Sequence, residues 1–325
     1  MKKYLSALIV LIACGGSSAA QTPAYPLRQV TLVVTSVPGG VTDVVGRALA
    51  QALTKDWGQE VIVENKGGAA HIIGAGAVAK AAPDGYTLLV GESGTFTVNP
   101  TLLPKDKVPY DADKDFTPIT GLVRIYQSIL AAKSLPVSNI AELIALAKEK
   151  PGQLTYGTAG VGSALHMNMA LFGSMAGIKM VPVHYRGATP ALNDLIGGHI
   201  DTMVVSVASG MPAYKAGQIK MLGVGAAKRM PLVPEVPTVS ESGLPGYQAT
   251  AWFGLFGPAG LPPDIVTKVD KEVIKVFSDP AFRARFLDPQ MFESMAGPPD
   301  AFKAYIKSER AKWAKVIHDD DIKIQ

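Results

Sequence analysis

The sequence contains a single cysteine, Cys14, and only five histidines. Cys14 lies among the first 20 residues, so the remaining chain has no disulfide, thiolate catalyst or thiolate zinc site. The histidines stand at positions 71, 166, 184, 199 and 318, without a ligand spacing such as His-x-x-x-His. The sequence therefore predicts neither a metal site nor a cofactor.

Charge is also scarce, because charged residues make up 18% of the chain and hydrophobic residues 48%. This is a globular composition, and 325 residues suffice for two domains. The net charge is only +4, and no basic cluster with interleaved aromatic residues occurs. Nucleic acid is therefore not an expected partner. Beyond the N-terminal segment, no apolar run is long enough to span a membrane.

The first 20 residues are typical of an export signal. Lys2-Lys3 precede an apolar run from Tyr4 to Ala13, and small residues end at Ser18-Ala19-Ala20, after which cleavage is expected. Leu11-Ile12-Ala13-Cys14 also resembles the bacterial lipoprotein box, in which the cysteine carries the lipid. Cleavage after Ala20 and a lipid anchor at Cys14 are both open interpretations. Either one predicts a periplasmic location.

The first stretch of the mature chain predicts a strand, a glycine turn and a helix. Thr31 to Thr35 is β-branched and apolar, Pro38-Gly39-Gly40 breaks the strand, and apolar residues recur at helical spacing from Val41 to Leu53. The first N–H groups of such a helix have no partner within it, and they point off the carboxyl end of the strand. The turn is therefore interpreted as an anion cradle. A tight turn without a ligand is the alternative.

The same pattern returns more than a hundred residues later. Leu154 to Gly157 is a predicted strand, Thr158 to Ser163 is a glycine-rich turn, and Ala164 to Ala176 is a predicted helix. In open α/β sheets a ligand is expected at the carboxyl ends of strands. Two such lobes facing each other would enclose a ligand and close by a hinge motion, as in periplasmic binding proteins.

The domain prediction follows from this repetition. Residues 1–20 form the signal peptide, residues 21–122 and 250–325 form lobe 1, and residues 123–249 form lobe 2. A strand candidate from Gly121 to Ala132 is placed at the crossing between the lobes, after a connecting loop from Asn99 to Phe116. The fold class is α/β, two-lobed, with a cleft between the lobes.

Several motifs, spread in order over nearly the whole mature chain, resemble one known family. They are Pro38-Gly39-Gly40 with Asp43 and Arg47, Gly58-Gln59, Val63-Glu64-Asn65, Pro83-Asp84-Gly85-Tyr86-Thr87, Asn99-Pro100, Gly160-Val161-Gly162-Ser163 with His166, Val183-His184-Tyr185-Arg186-Gly187, Asp194-Leu195 with Gly198 and Asp201, Val236-Pro237-Thr238 and Trp252-Phe253-Gly254. The family is that of the tripartite tricarboxylate transporter substrate-binding proteins, also called the Bug (Bordetella uptake gene) family.

The resemblance implies a two-lobed periplasmic binding protein of type II-like architecture and no catalytic residue. It implies a small organic acid as ligand, with a dicarboxylate favoured, held by N–H groups of Pro38-Gly39-Gly40 and bridging waters. A second contact would come from the Thr158 to Ser163 loop. The implied partners are the large and small integral membrane subunits of a transporter.

The candidate ligand-binding residues lie in these turns and in two neighbouring segments. They are Ser36, Val37, Pro38, Gly39, Gly40, Asp43, Glu92, Ser93, Thr158, Ala159, Gly160, Gly162, Ser163, His166, Arg186 and Asp201. Asp43 is expected to cap N–H groups of the loop or helix rather than to touch an anion. Arg186 is expected either to bind a ligand carboxylate or to form a surface ion pair.

The sequence departs from the usual family pattern at three places. Thr35-Ser36-Val37 precedes the glycines, so that Ser36 adds a hydroxyl donor, Glu92 stands where a small or hydroxyl residue is more common, and Phe96 stands where the family often has histidine. If Glu92 faces the cleft ionised, it repels a second carboxylate and favours an amine or hydroxyl. Alternatively Glu92 turns outward. Phe96 either belongs to the core or lines the pocket.

A secreted serine hydrolase is the alternative function. Gly91-Glu92-Ser93-Gly94-Thr95 nearly matches the nucleophile elbow, but Thr95 stands where the last glycine belongs. Ser163 and His166 are three residues apart, without a strong third partner. Ser163 is therefore expected to cap a helix, and a binding protein is favoured over an enzyme.

Overall fold

The computed structural model describes residues 25–68, 71–319 and 321–323. The predicted signal peptide and Cys14 lie outside these residues. None of the helices in the described part of the chain is both long enough and apolar enough for a membrane crossing.

Strands and helices alternate along most of the described chain. The strands are β1 (Val30–Val34), β2 (Val61–Asn65), β3 (Thr87–Glu92), β4 (Phe116–Ala132), β5 (Thr155–Thr158), β6 (Val181–His184), β7 (Thr202–Ser206), β8 (Ile219–Val224), β9 (Thr250–Pro258) and β10 (Phe292–Ser294). The helices are α1 (Val41–Trp57), α2 (Ile72–Ala79), α3 (Ser93–Thr97), α4 (Asn99–Leu102), α5 (Ile140–Glu149), α6 (Ala164–Ala176), α7 (Ala188–Gly197), α8 (Val207–Lys215), α9 (Pro263–Ser278), α10 (Pro280–Phe282) and α11 (Pro299–Asp319).

The strands form one mixed sheet in the order β2-β1-β3-β9-β4-β7-β5-β6, with β8 and β10 also paired to β4. The 17-residue strand β4 belongs to both halves of this sheet. It pairs with β9 through Tyr126, and it pairs with β7 from Gln127 onward. The fold is therefore α/β with two lobes, as the sequence predicts, and β4 leads from one lobe into the other.

Strand directions determine where the carboxyl ends of the strands point. In lobe 1, β9 runs antiparallel to both β3 and β4, so β1 and β3 run in the direction of β4, toward lobe 2. In lobe 2, β7 runs antiparallel to β4 and parallel to β5, and β6 is parallel to β5. The strands β5, β6 and β7 therefore run back toward lobe 1. The carboxyl ends of the two sets face each other across the junction.

The pairing register gives the separation of the two sets along β4. Glu92 at the end of β3 is level with Phe253, which is level with Val123 of β4. Ser206 at the end of β7 is level with Gln127. Four residues of strand separate these levels, which corresponds to about 13 Å. The strand ends thus leave room for a small molecule between the lobes.

A second connection crosses beside β4. The Gln127 N–H donates to the Ala249 carbonyl at 3.0 Å, the Gly225 N–H donates to the Gln127 carbonyl at 2.7 Å, and the Ala249 N–H donates to the Gly225 carbonyl at 3.0 Å. The side chains here are buried, and Gln127 Oε1 accepts from Asn168 Nδ2 at 2.7 Å. The crossing is therefore a closed hydrogen-bonded junction of three segments.

The cores lie on either side of this junction, and α11 contacts both. Phe302 and Ile306 pack in a lobe 1 cluster with Trp252 and Phe256. Further along the same helix, Trp313, Val316 and Ile317 pack with the α6 side of lobe 2. The lobe boundaries drawn from the sequence stay a prediction, to which the structure adds that the last helix, assigned there to lobe 1, packs on both lobes.

The crossing yields a stability prediction. A Cβ on Gly225 would lie 2.5 Å from the Ala249 Cβ and 2.6 Å from its backbone nitrogen. Gly225→Ala should therefore lower the free energy of unfolding by about 2 kcal/mol or more, since the backbone cannot move without breaking the junction. Urea denaturation measures this loss. The control is Gly297→Ala, where the nearest atom lies 3.8 Å away. Equal midpoints for the two variants would contradict this account of the junction.

Candidate functional site

The first glycine turn, residues 36–40, is shaped by the buried carboxylate of Asp43 on α1. Its Oδ2 accepts from the Gly39 N–H at 2.9 Å, while Oδ1 accepts from Asn65 Nδ2 at 2.8 Å and pairs with Arg47 at 2.9 Å. Burial alone would raise the pKa of Asp43, but these hydrogen bonds outweigh burial and hold the pKa below its usual range. Asp43 is therefore ionised and holds the turn, which fits the capping role expected from the sequence.

Two N–H groups that the sequence assigned to a ligand are engaged within the turn. The Gly39 N–H is bound to Asp43, and the Gly40 N–H donates to the Val37 carbonyl at 3.0 Å. The next N–H groups, of Val41 and Thr42, open α1 and have no acceptor among the described residues. The available donors thus lie just after the glycines, which corrects the expectation for Gly39 and Gly40 in this conformation.

Glycine is required at the turn for steric reasons. Gly39 has a φ of +83°, in the left-handed region. A Cβ on Gly40 would lie 2.6 Å from Ser36 Oγ, which itself accepts from Thr42 Oγ1 at 2.5 Å. Ser36 therefore packs under the turn, with its hydroxyl bound to Thr42. Val37 and Pro38 are exposed at its tip.

A residue that sequence reasoning missed, His71, joins the ends of two strands. Its Nδ1 lies 2.8 Å from the Thr35 carbonyl oxygen after β1, and its Nε2 lies 3.0 Å from Oε1 of Glu92 at the end of β3. Glu92 is thus held at the edge that faces lobe 2. One feature of the sequence could have indicated His71. It is a polar residue in the loop after β2, and the carboxyl end of β2 lies beside that of β1.

Ser93 and Phe96 follow Glu92 in the short helix α3. Phe96 is fully buried, and its ring stacks on that of Phe256 with centroids 3.8 Å apart. It belongs to the core, so the alternative that it lines the pocket is wrong. Ser93 begins the helix after β3, as in a nucleophile elbow, but no described imidazole lies within hydrogen-bond distance of its hydroxyl.

The polar groups of the second glycine turn, residues 158–163, also have hydrogen-bond partners within lobe 2. Thr158 Oγ1 accepts from the Gly160 N–H at 3.1 Å and lies 2.7 Å from His184 Nδ1. The Gly162 N–H donates to His166 Nδ1 at 3.1 Å. Ser163 is the N-cap of α6, and the half-buried Ala159 lies between Thr158 and Gly160.

The imidazole of His166 is a structural acceptor. Because Nδ1 accepts from Gly162, the ring proton lies on Nε2 and the ring is neutral. Burial, reinforced by His184, lowers the pKa of His166 to about 4. Ser163 Oγ accepts from the His166 backbone N–H at 3.3 Å rather than donating to the ring. The nucleophile–base contact that a hydrolase needs is therefore not made by this pair.

Arg186 and Asp201 differ in their position. Arg186 is exposed just after the carboxyl end of β6, and its guanidinium has no ion-pair or hydrogen-bond partner among the residues described. Asp201 Oδ2 accepts from the Thr155 N–H at 2.7 Å, at the amino end of β5, so Asp201 lies away from the turn that follows Thr158. The assignment of Asp201 to the site is wrong, because its carboxylate ties the starts of β5 and β7 together.

Cavities elsewhere do not join the two turns. A cavity of about 590 Å³ is lined by His166 and His184 together with Asp319 of the C-terminal segment, and it includes no residue of the first turn. In residues 25–68, 71–319 and 321–323, no three His, Cys, Asp or Glu side chains form a group that could hold a metal ion. The two turns instead follow strands whose carboxyl ends face each other across the gap between the lobes.

Two lobes joined by crossing strands, with helix N-termini facing each other across the gap, define a solute-binding protein. Residues 45–322 match the model of the tripartite tricarboxylate transporter family receptor, and the chain belongs to this family. The sequence is 29% identical to protein BugT of Bordetella pertussis over 327 residues, covering 100% of this chain and 99% of that protein. The resemblance inferred from the motifs is thereby confirmed.

Two solved structures with bound acids are similar to the whole fold. The R. palustris protein Rpa4515 with adipate has a TM-score of 0.79 and 34% identity, covering 92% of this chain and 99% of that one. MatC from Rhodopseudomonas palustris with bound malate has a TM-score of 0.75 and 34% identity, covering 90% and 100%. The family and these relatives are binding proteins, so the serine hydrolase hypothesis is wrong.

The first turn yields a stability prediction. Asp43→Ala should lower the free energy of unfolding by about 3 kcal/mol, because the Gly39 N–H, Arg47 and Asn65 lose a buried charged acceptor. Guanidinium denaturation measures this loss. Asp106→Ala, at an exposed aspartate, serves as the control and should change stability by less than about 0.5 kcal/mol. Wild-type stability of Asp43→Ala would refute the role given to this carboxylate.

The second turn yields a pH prediction. Unfolded His166 gains a proton near pH 6.5 but folded His166 only near pH 4, so stability falls as pH falls through this window. His166→Gln keeps an acceptor for Gly162 and does not titrate. Between pH 7.5 and 4.5 the wild type should lose about 2–3 kcal/mol more than this variant in urea denaturation. The exposed His199→Gln should retain the acid sensitivity of the wild type. Parallel losses in wild type and His166→Gln would contradict the assignment.

Proposed function

We propose that the protein captures a small carboxylate, with a dicarboxylate favoured, in the gap between its lobes. It then delivers the acid to the large and small membrane subunits of a tripartite tricarboxylate-type transporter. The observation that carries the proposal is the strand topology, which turns the helix starts of both lobes toward one gap. Relatives of the same family that hold adipate and malate support the same ligand class.

The proposed contacts use backbone donors in both lobes. The first turn, Ser36–Gly40 with Asp43, presents the opening N–H groups of α1, and Glu92 and Ser93 flank it. The second turn contributes Thr158, Ala159, Gly160, Gly162, Ser163 and His166, which orient the start of α6. Arg186 contacts a ligand carboxylate through a bidentate pair.

The free energies of the proposed contacts are large enough for micromolar binding of a carboxylate. A carboxylate at a helix N-terminus gains roughly 0.3–1 kcal/mol from the dipole, and each hydrogen bond to a charged group contributes about 1.5–3 kcal/mol. Micromolar binding corresponds to about 8 kcal/mol. Three or four such bonds shared between two turns and Arg186 reach that value, although desolvation offsets part of it. No single side chain has to dominate.

The location and the motion follow from the same proposal. The signal sequence before residue 21 exports the chain to the periplasm, either free or with a lipid on Cys14. Residues 21–122 with 250–325 form one lobe and residues 123–249 the other, and the lobes close on the acid by bending at the crossing strands. Closure presents both lobes in a fixed relation to the membrane subunits.

Isothermal titration calorimetry with adipate and malate tests the proposal. At least one acid should bind with micromolar affinity, and Arg186→Gln should weaken that binding at least tenfold because it removes a bidentate partner. Arg283→Gln is the control, since Arg283 is also exposed but follows α10 and belongs to neither turn. It should bind as the wild type does. Equal affinities for both variants would move the site elsewhere, and the absence of binding by every carboxylate tested would refute the proposal.

A further inference from the structure

His71 and Glu92 form a side-chain contact at the edge of the lobe 1 sheet where the first turn begins. Thr35 presents a carbonyl oxygen 2.8 Å from His71 Nδ1, and a carbonyl can only accept, so Nδ1 carries a proton. The other ring nitrogen, Nε2, lies 3.0 Å from the Glu92 carboxylate. Both nitrogens of the ring are occupied, and neither is available to a ligand.

The backbone of His71 is held in an uncommon conformation for this contact. Its φ is +70°, in the left-handed region, at the N-cap of α2. Few residues other than glycine adopt this conformation, although histidine, asparagine and aspartate do so more often than most. The conformation directs the ring between the ends of β1 and β3. The contact thus joins three segments that are distant in sequence, at Thr35, His71 and Glu92.

The free atom of the pair is the second carboxylate oxygen of Glu92. Oε1 contacts His71, whereas Oε2 has no hydrogen-bond partner among the residues that the structure describes, and the side chain is 27% exposed. The last paired residues of β1 and β3 are Val34 and Val90, and Glu92 and the first turn both follow within two residues of that pair. An unpaired acceptor therefore lies at the same edge of the lobe 1 sheet as the unpaired N–H donors of α1.

We infer that Glu92, positioned by His71, selects acids that carry a hydroxyl or ammonium group beside their carboxylate. The inference rests on the proposed function. The ligand carboxylate accepts from the α1 N–H groups while the neighbouring hydroxyl or ammonium donates to Glu92 Oε2. An acid without this donor leaves Oε2 desolvated and unpaired, close to its own negative charge, and binds more weakly.

Three four-carbon diacids that differ only at one carbon provide the probes. Succinate has no donor there, L-malate has a hydroxyl and L-aspartate has an ammonium group. In calorimetric titrations at pH 7, malate or aspartate should bind at least tenfold tighter than succinate. Tight malate binding identifies a hydroxy acid as the ligand class, and tight aspartate binding identifies an amino acid.

Two variants test whether the selectivity depends on Glu92 and His71. Glu92→Gln removes the charge and offers an amide N–H to the ligand, so succinate should bind more tightly and the preference should shrink at least threefold. His71→Asn tolerates the left-handed conformation but is too short to bridge Thr35 and Glu92, and it should reduce the preference as well. Glu60→Gln, at the opposite end of the lobe 1 strands, should leave the preference unchanged. Thermal unfolding midpoints verify that the variants are folded.

The outcomes separate this inference from the proposed function. If succinate binds the wild type within threefold of both malate and aspartate, the donor requirement is refuted while carboxylate capture stands. The same holds if Glu92→Gln and His71→Asn both keep the wild-type preference. If none of the three diacids nor adipate binds, the proposed function fails and this inference fails with it.

Discussion

Backbone hydrogen bonding along β4 is the constraint on which the arrangement depends. One continuous strand is paired into both halves of the sheet, antiparallel to β9 in one half and to β7 in the other. Because pairing fixes direction, the strands of the two lobes must run toward each other. Their carboxyl ends, and the helices that follow them, then face one gap. The site is a consequence of strand polarity before any side chain is considered.

Within each turn the polar groups are largely satisfied before any ligand is added. Asp43 takes the Gly39 N–H in one turn, and His166 and Thr158 take the glycine N–H groups in the other. These bonds fix the turns and leave the opening N–H groups of α1 and α6 as donors. Since the ordering occurs on folding, binding does not have to supply it. The ionised carboxylate of Asp43 and the neutral imidazole of His166 thus both act in deprotonated form, each as an acceptor for a glycine N–H.

The sequence predicted what is local and missed what depends on distant segments. Both turns were predicted, because strand, glycine and helix follow one another within a few residues. The capping role of Asp43 was predicted as well, whereas the assignment of the Gly39 and Gly40 N–H groups to a ligand overlooked Asp43 and the Val37 carbonyl as local acceptors. His71 was missed because its two partners are distant in sequence. Thr35 lies 36 residues before it, and Glu92 lies at the end of the next strand, β3.

The errors made at other positions also come mostly from contacts between segments that are distant in sequence. Phe96 was left undecided between core and pocket, and only its stacking on Phe256, a residue of β9, decides for the core. Asp201 carries the right chemistry for a site but stands at the wrong end of its strand, which pairing with Thr155 reveals. The stretch from Asn99 to Phe116 was taken as a loop, yet it begins with α4 and ends in the first residue of β4. For Phe96, Asp201 and the start of β4, long-range pairing and not residue type decides the outcome, whereas α4 is a short local helix.

Placing donors on separate lobes has a consequence for binding. A ligand on one turn alone gains part of the available hydrogen bonds, and the full set requires both lobes. Under the proposed function, affinity is therefore coupled to closure, since a ligand shifts a conformational equilibrium only by its differential affinity for the two states. The junction at Gln127, Gly225 and Ala249 and the two-sided packing of α11 restrict how the lobes move. Under the proposed function, the acid and these connections together would set the closed state, because each adds contacts that span the gap.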